Sequence, residues 1–303
     1  MSFSVTILGS SSALPTSNRY LTAHLLNVNE RFFLIDCGEG TQFQLRRYKA
    51  KFSRLDHIFI THLHGDHVFG LPGLISTFNL LGRKNALHIY SHPHLEKILH
   101  QFLSNFYADL DFPVVYHTLN LASSELVFED DKLEVLSFPL KHRIPTCGFV
   151  FREKPRMRNI RKDMIDYYKI PIREIPNVKR GEDFITEEGI VIPNGRLTFE
   201  SETPKSYAFC SDTAYSTDIL PYIREVDLLY HEATFSDTDR DRAIETFHST
   251  ASDAARIALQ ANPKKLIIGH FSARYKDITQ LGEEARKIFI NTDTAEDGMV
   301  ITL

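Results

Sequence analysis

Thr61-His62-Leu63-His64-Gly65-Asp66-His67 sets three imidazoles and one carboxylate within six residues, directly after the strand-like run His57–Ile60. Histidine and aspartate are the donors that zinc and similar divalent ions take. On a tight loop, alternate residues face one ion while the next pair faces another. One loop cannot fill two coordination spheres, so further ligands must come from other strand ends. Three residues fit: His142 beyond Leu133–Phe138, Asp212 beyond Tyr207–Cys210 and His270 beyond Leu266–Ile268. Polar groups where an apolar strand opens into a loop are where folds usually carry their sites. Two divalent ions about 3.5–4 Å apart clamp both oxygens of an in-line phosphoryl displacement and bring the pKa of a water near ~7. Metal-assisted hydrolysis is therefore the chemistry these residues point to.

The elements that must position them are short β-rich segments: Phe3–Leu8, Ala23–Val28, Phe32–Ile35, His57–Ile60, Leu87–Tyr90, Leu133–Phe138, Tyr207–Cys210, Leu228–Tyr230, Leu266–Ile268 and Met299–Leu303. Helices fall between them. Pro93–Ser104 places Leu95, Ile98, Leu99, Phe102 and Leu103 on one face at helical spacing. Thr250 and Asp253 match a loose capping box, which predicts a helix over Asp253–Gln260. Strands interleaved with helices predict an α/β protein, two sheets packed face to face with helices outside. The 303 residues suffice for a full core without disulfide staples. Three scattered cysteines (Cys37, Cys147, Cys210) form no disulfide framework and no CxxC pair. With no basic leader and no apolar run long enough to span a bilayer, the expectation is a soluble, reduced, cytoplasmic protein.

The formal charge of −4, from 35 Lys+Arg and 39 Asp+Glu, advertises no nucleic acid in bulk. It is unevenly spread. Residues 152–180 hold ten basic and four acidic residues, a local +6, which leaves 25 basic against 35 acidic elsewhere. A charge run can be a solvated surface or an electrostatic arm for a polyanion.

The pattern as a whole resembles a known family. HLHGDH with later His, Asp and His ligands resembles the metallo-β-lactamase fold superfamily. THLHGDHVFGLPGL, ILGSSSALP, IDCGEGTQ, HEATF, HST and HFSARY, spread over residues 5–275, are similar to the ribonuclease Z family of tRNA 3′-processing endonucleases. The resemblance implies an αββα sandwich with its site at one edge of the two sheets, organised as a single catalytic domain (1–303) carrying an inserted arm (152–180). It implies two Zn²⁺ per subunit, with Mn²⁺ or another divalent ion as substitutes. His62, His64 and His142 would hold the first ion, Asp66, His67 and His270 the second, and Asp212 would bridge. Asp66 would also accept a proton from the attacking water, His248 of the HST motif would act as general acid or phosphate contact, and Glu232 would orient an imidazole. His231 and Asp36 carry no settled role.

The implied reaction is removal of the 3′ trailer from precursor tRNA, leaving a 3′-hydroxyl on the tRNA and a 5′-phosphate on the trailer. Ser272 and Arg274 would reach substrate phosphate. The arm would grip folded tRNA away from the cut, with Arg156, Arg158, Arg161 and Lys162 as candidate contacts and a short helix around Arg161–Tyr168 at its tip. A homodimer is implied, with no membrane or DNA partner. The chain departs from the family's P-x-K-x-R-N loop at Ser17 and Tyr20. A hydrolase of a small phosphodiester or thioester and a non-catalytic RNA-binding relative are the competing readings. The arm argues against the first and the intact ligand set against the second.

Overall fold

Alternating burial along Phe3–Gly9, with every second residue inside at its start, marks a strand whose one face meets a core. The computed structural model describes residues 3–107 and 109–303. In chain order the first strands are β1 (Phe3–Gly9), β2 (Ala23–Val28), β3 (Arg31–Ile35), β4 (Leu55–Phe59), β5 (Leu87–Ser91) and β6 (Val114–Thr118). Next come β7 (Glu125–Glu129), β8 (Leu133–Leu140), β9 (Thr146–Glu153), β10 (Asn159–Ile160), β11 (Phe184–Ile185), β12 (Val191–Ile192) and β13 (Thr198–Phe199). The last are β14 (Ser206–Cys210), β15 (Leu228–Glu232), β16 (Lys265–Gly269), β17 (Thr292–Thr294) and β18 (Val300–Thr302).

Two compact units emerge. The larger takes the chain up to Phe128, Val135–Phe151 and Lys205–Leu303; the smaller takes Glu129–Glu134 and Arg152–Pro204. In the larger unit one sheet runs β18-β1-β2-β3-β4-β5-β6 and the other β17-β16-β15-β14-β9-β8-β7. Their inner faces meet through aromatic rings: Phe59 lies 5.4 Å from Phe149 and 5.3 Å from Phe151, centroid to centroid. His24 is part of this layer. Burial drives its imidazole down to about 3, so it is neutral, and its Nδ1 sits 2.8 Å from the Tyr207 hydroxyl. Helices Thr41–Arg47, Leu71–Leu80 and His94–Leu103 cover the first sheet, while Ala251–Ala261 and Thr279–Arg286 pack on the second. This is the expected αββα order.

Strands β3 to β6 are parallel, as are β14 to β17, so within each set the carboxyl ends share an edge. Such edges are where α/β sheets place their sites. The helix after Thr250 begins as expected, with a complete capping box to Asp253, and ends at Asn262 in the left-handed region. One expectation needs correction. On helix His94–Leu103 only Leu95, Leu99 and Leu103 are buried, whereas Ile98 is 54% and Phe102 48% exposed. The helix turns a second apolar stripe outward.

The smaller unit has its own core of Ile170, Val178, Phe184, Ile192 and Leu197, with the pairs β10–β13 and β11–β12. Its expected short helix runs Lys162–Tyr167. Beyond residue 180 the unit adds six acids and one base, so that over both its segments it holds 12 basic and 14 acidic residues. The +6 of residues 152–180 is thus offset within its own unit. Arg156 faces Glu153 and Glu202, and Arg158 faces Glu200 at 3.7 Å.

Candidate active site

The proposed metal donors sit on loops that follow strands, whereas His248 lies between helices Arg240–Thr246 and Ala251–Ala261. Asp36 follows β3, His62–His67 follow β4, His142 lies two residues past β8, Asp212 two past β14, and His270 follows β16. Glu232 is the last residue of β15. The chain through Thr61–His64 is non-helical until a short helix, Gly65–Val68, turns Asp66 and His67 back toward it. Leu63 packs among the helices over the first sheet, between His62 and His64, which face the site. Asp36, Asp212 and His270 all have φ near +60° (57°, 60° and 60°). That left-handed turn is strained for non-glycine residues and sharply redirects each side chain as it leaves its strand.

Three overlapping groups of donors result, each with its atoms within 4.8 Å of one another: His62, His64, His142 and Asp212; Asp66, His67 and His270; and Asp212, His248 and His270. In the first, His64 Nδ1 lies 2.9 Å from His62 Nε2 and 3.3 Å from His142 Nε2. Asp212 Oδ2 is 3.6 Å from each of those Nε2 atoms. In the second, Asp66 Oδ2 is 3.5 Å from both His67 Nε2 and His270 Nε2. Asp212 Oδ1 approaches the same two nitrogens at 3.1 and 3.0 Å. The two oxygens of Asp212 therefore face different groups. Nitrogens at ~2.05 Å from one tetrahedral ion stand about 3.3 Å apart, so these spacings fit shared coordination. The Nε2 atoms of His67 and His270 are buried and make no hydrogen bond, which leaves their lone pairs for a cation.

A second layer fixes which nitrogen each ring presents. Asp36 Oδ2 lies 2.7 Å from His67 Nδ1, Thr61 Oγ1 3.0 Å from His62 Nδ1, and Thr234 Oγ1 2.9 Å from His270 Nδ1. His142 Nδ1 donates to the Phe247 carbonyl at 3.0 Å. With Nδ1 engaged, these four rings turn Nε2 inward. Asp66 Oδ2 also accepts the Ala13 amide at 2.7 Å. Residue type and spacing single out neither Thr61, Thr234, the Phe247 carbonyl nor the Ala13 amide. The position of Thr61 next to the histidine run, and of Thr234 inside HEATF, are the signals the sequence does carry. Replacing Asp36 with Asn is expected to weaken metal affinity by about 10–100-fold with the fold intact, as measured by competition with a chelator. Unchanged affinity would remove Asp36 from the site.

His248 and Glu232 form a pair at the edge of the donors, His248 sharing the third group with Asp212 and His270. His248 Nδ1 lies 2.7 Å from Glu232 Oε1, and its ring centroid is 5.0 Å from that of His142. Glu232 also accepts from the Thr213 amide at 2.8 Å and the Thr234 hydroxyl at 2.6 Å. Burial opposes charge on both partners, but their attraction outweighs it: His248 is pushed up to about 9 and Glu232 down to about 2. The Glu232 carboxylate thus favours the charged form of His248. His231 points elsewhere, with Nδ1 2.8 Å from the Glu232 carbonyl oxygen.

The HFSARY residues are held by local contacts. Arg274 pairs with Asp239 at 3.1 Å and lies 5.1 Å over the Phe235 ring. The Ser272 and Tyr275 carbonyls accept from Arg19 at 3.3 and 2.9 Å. Arg19 therefore ties the loop that departs from the family pattern to the segment following His270. Arg156, Arg158, Arg161 and Lys162 all belong to the smaller unit.

An αββα sandwich with two His/Asp donor groups sharing a carboxylate at strand ends defines the metallo-β-lactamase-fold hydrolases. The metallo-β-lactamase fold protein YhfI from Bacillus subtilis matches with a TM-score of 0.70 at 18% identity over 99% of each chain. Human tRNase Z, short form, matches with a TM-score of 0.72 at 30% identity over 98% of each chain. Residues 3–154 match the family model described as Anti-Pycsar protein Apyc1. A Ribonuclease Z from Bacteroides fragilis is 50% identical over 301 residues, 99% of each chain. The chain belongs to the ribonuclease Z family.

Proposed function

We propose that this chain is a metal-dependent endoribonuclease that removes the 3′ trailer from precursor tRNA, leaving a 3′-hydroxyl on the tRNA and a 5′-phosphate on the trailer. The observation that carries this reading is Asp212, whose two oxygens face two separate imidazole groups at 3.0–3.6 Å in a chain half identical to a Ribonuclease Z. His62, His64 and His142 would hold one divalent ion, Asp66, His67 and His270 the other, with Asp212 between; zinc suits this donor set and manganese is accepted by it. When bound, the ions supply Lewis acidity to the scissile phosphate and lower the pKa of the attacking water.

The chain's own groups divide the proton work. Asp66 lies at the donor cluster and accepts the proton of the attacking water. The His248 imidazolium, kept charged by Glu232, donates a proton to the departing 3′ oxygen of the tRNA. The Ala13 amide holds Asp66 in place at 2.7 Å, and the Phe247 carbonyl does the same for His142 at 3.0 Å. Ser272 and Arg274, two and four residues past His270, would reach substrate phosphate. In our reading the smaller unit, including the 152–180 arm, grips folded RNA. The test is cleavage of a 3′-extended precursor tRNA by the metal-loaded protein, lost on chelation and restored by added zinc or manganese. Cleavage that survives complete metal removal would contradict it.

We also assign the chain to a homodimer. An apolar groove of about 670 Å³ lies against the donor loop, lined by Val68, Phe69, Ile98, Phe102 and Phe106. Phe69 is 70% and Phe106 65% exposed, a contiguous apolar surface that favours burial against a second copy. Phe102→Glu is expected to convert dimer to monomer in sedimentation equilibrium; an unchanged mass would move the interface elsewhere. Among the described residues no helix is long and apolar enough to cross a membrane, and all three cysteines are free and buried. Free buried thiols are what a reducing, cytoplasmic setting, our assignment for this chain, maintains.

A further inference from the structure

The charge of residues 152–180 suggests that the arm holds RNA by its phosphates. The folded unit argues for a different grip. Its bases and acids nearly balance, 12 against 14, and Arg161 lies 4.3 Å over the Phe199 ring rather than reaching outward. What the unit presents instead is an uncovered aromatic ring. Tyr168 packs against the unit's own core and meets Tyr167 edge-on, with centroids 4.8 Å apart at 86°. Tyr167 ends helix Lys162–Tyr167 and is 75% exposed. A ring oriented by one neighbour and covered by none is a ready stacking platform, because every nucleobase has a π-face. Lys162 opens the same helix and Lys169 follows it, both exposed. Ile172, 86% exposed, comes five residues after Tyr167.

We propose that Tyr167 stacks on an exposed base of the folded precursor tRNA, with Lys162 and Lys169 contacting flanking phosphates, so that the arm's grip is aromatic first and electrostatic second. This rests on the functional reading above. It makes Tyr167 a specificity residue that acts through RNA binding rather than at the bond cut, by selecting an RNA shape that offers an unpaired base face.

Steady-state cleavage of a 3′-extended precursor tRNA by the full chain, at several salt concentrations, tests it. Tyr167→Ala is expected to raise KM about tenfold, the scale of removing one aromatic–base stack. It should leave kcat, bis(p-nitrophenyl) phosphate hydrolysis and the salt dependence of KM unchanged. Tyr167→Trp should keep the parent KM. Lys162→Ala with Lys169→Ala should instead flatten the salt dependence, by about 1 in slope for each lysine that meets a phosphate. A parent that cleaves while Y167A keeps the parent KM overturns the stacking assignment alone. A parent that leaves precursor tRNA intact overturns the functional reading and this inference with it.

Discussion

Replacing Asp212 with Asn is expected to lower bound metal, two ions per chain under our proposal, to at most one and to cut precursor-tRNA cleavage by roughly 10³-fold or more. The effect exceeds the about 10–100-fold typical of losing an outer partner, because Asp212 faces both donor groups directly. Its Oδ1 lies 3.0–3.1 Å from His67 and His270, and its Oδ2 3.6 Å from His62 and His142. An amide keeps one oxygen and replaces the other with a donor, so one group loses its carboxylate while the shape stays. Asparagine is also the right substitute for the backbone. Residue 212 has φ of 60°, a conformation asparagine tolerates better than alanine, so lost activity will not be confused with local unfolding. Two tightly held ions and near-parent turnover in D212N would refute the bridging role.

His248→Ala is expected to lower kcat by about 10²–10⁴-fold while metal content stays at the parent value. The separation of the two readouts follows from geometry. His248 bonds to Glu232 at 2.7 Å and stands beside the donor groups, whereas the four inward-facing rings owe their orientation to Asp36, Thr61, Thr234 and the Phe247 carbonyl. Removing its side chain takes one neighbour from Thr234, whose hydroxyl lies 3.3 Å from His248 Nδ1, but leaves the closer 2.9 Å contact to His270 and the other three partners in place. Glu232→Gln should lower kcat less, because the imidazole remains but loses the carboxylate that keeps it charged. Loss of metal in H248A would mean that the residue holds the site together rather than handling the leaving oxygen.

The donor residues can be read from sequence because each follows a short apolar run, and a histidine triplet with an aspartate has few uses in a core. Their partners cannot. Asp36 meets His67 across 31 positions of sequence, and Thr234 meets His270 across 36, distances set by how strands β3, β4, β15 and β16 line up. Backbone groups such as the Ala13 amide have no signature in residue type. The arm shows the reverse failure. A window of 29 residues looks strongly basic, but acids at 182–202 and 129–134 join it in one unit, and local charge counting is blind to such pairing. Helix His94–Leu103 misleads in the same way: its apolar residues span two stripes, and periodicity alone does not say which one meets the sheet. Strand β9 escapes a reading by pattern because Thr146–Phe151 is buried throughout and lacks the alternation that marks a half-exposed strand.

The central claim is tested most directly by mapping both ends produced when the metal-loaded protein meets a 3′-extended precursor tRNA. One cut just beyond the acceptor stem is expected, with a 3′-hydroxyl on the tRNA and a 5′-phosphate on the trailer. A 2′,3′-cyclic phosphate with a 5′-hydroxyl trailer, or an uncut precursor at full metal loading, would contradict it.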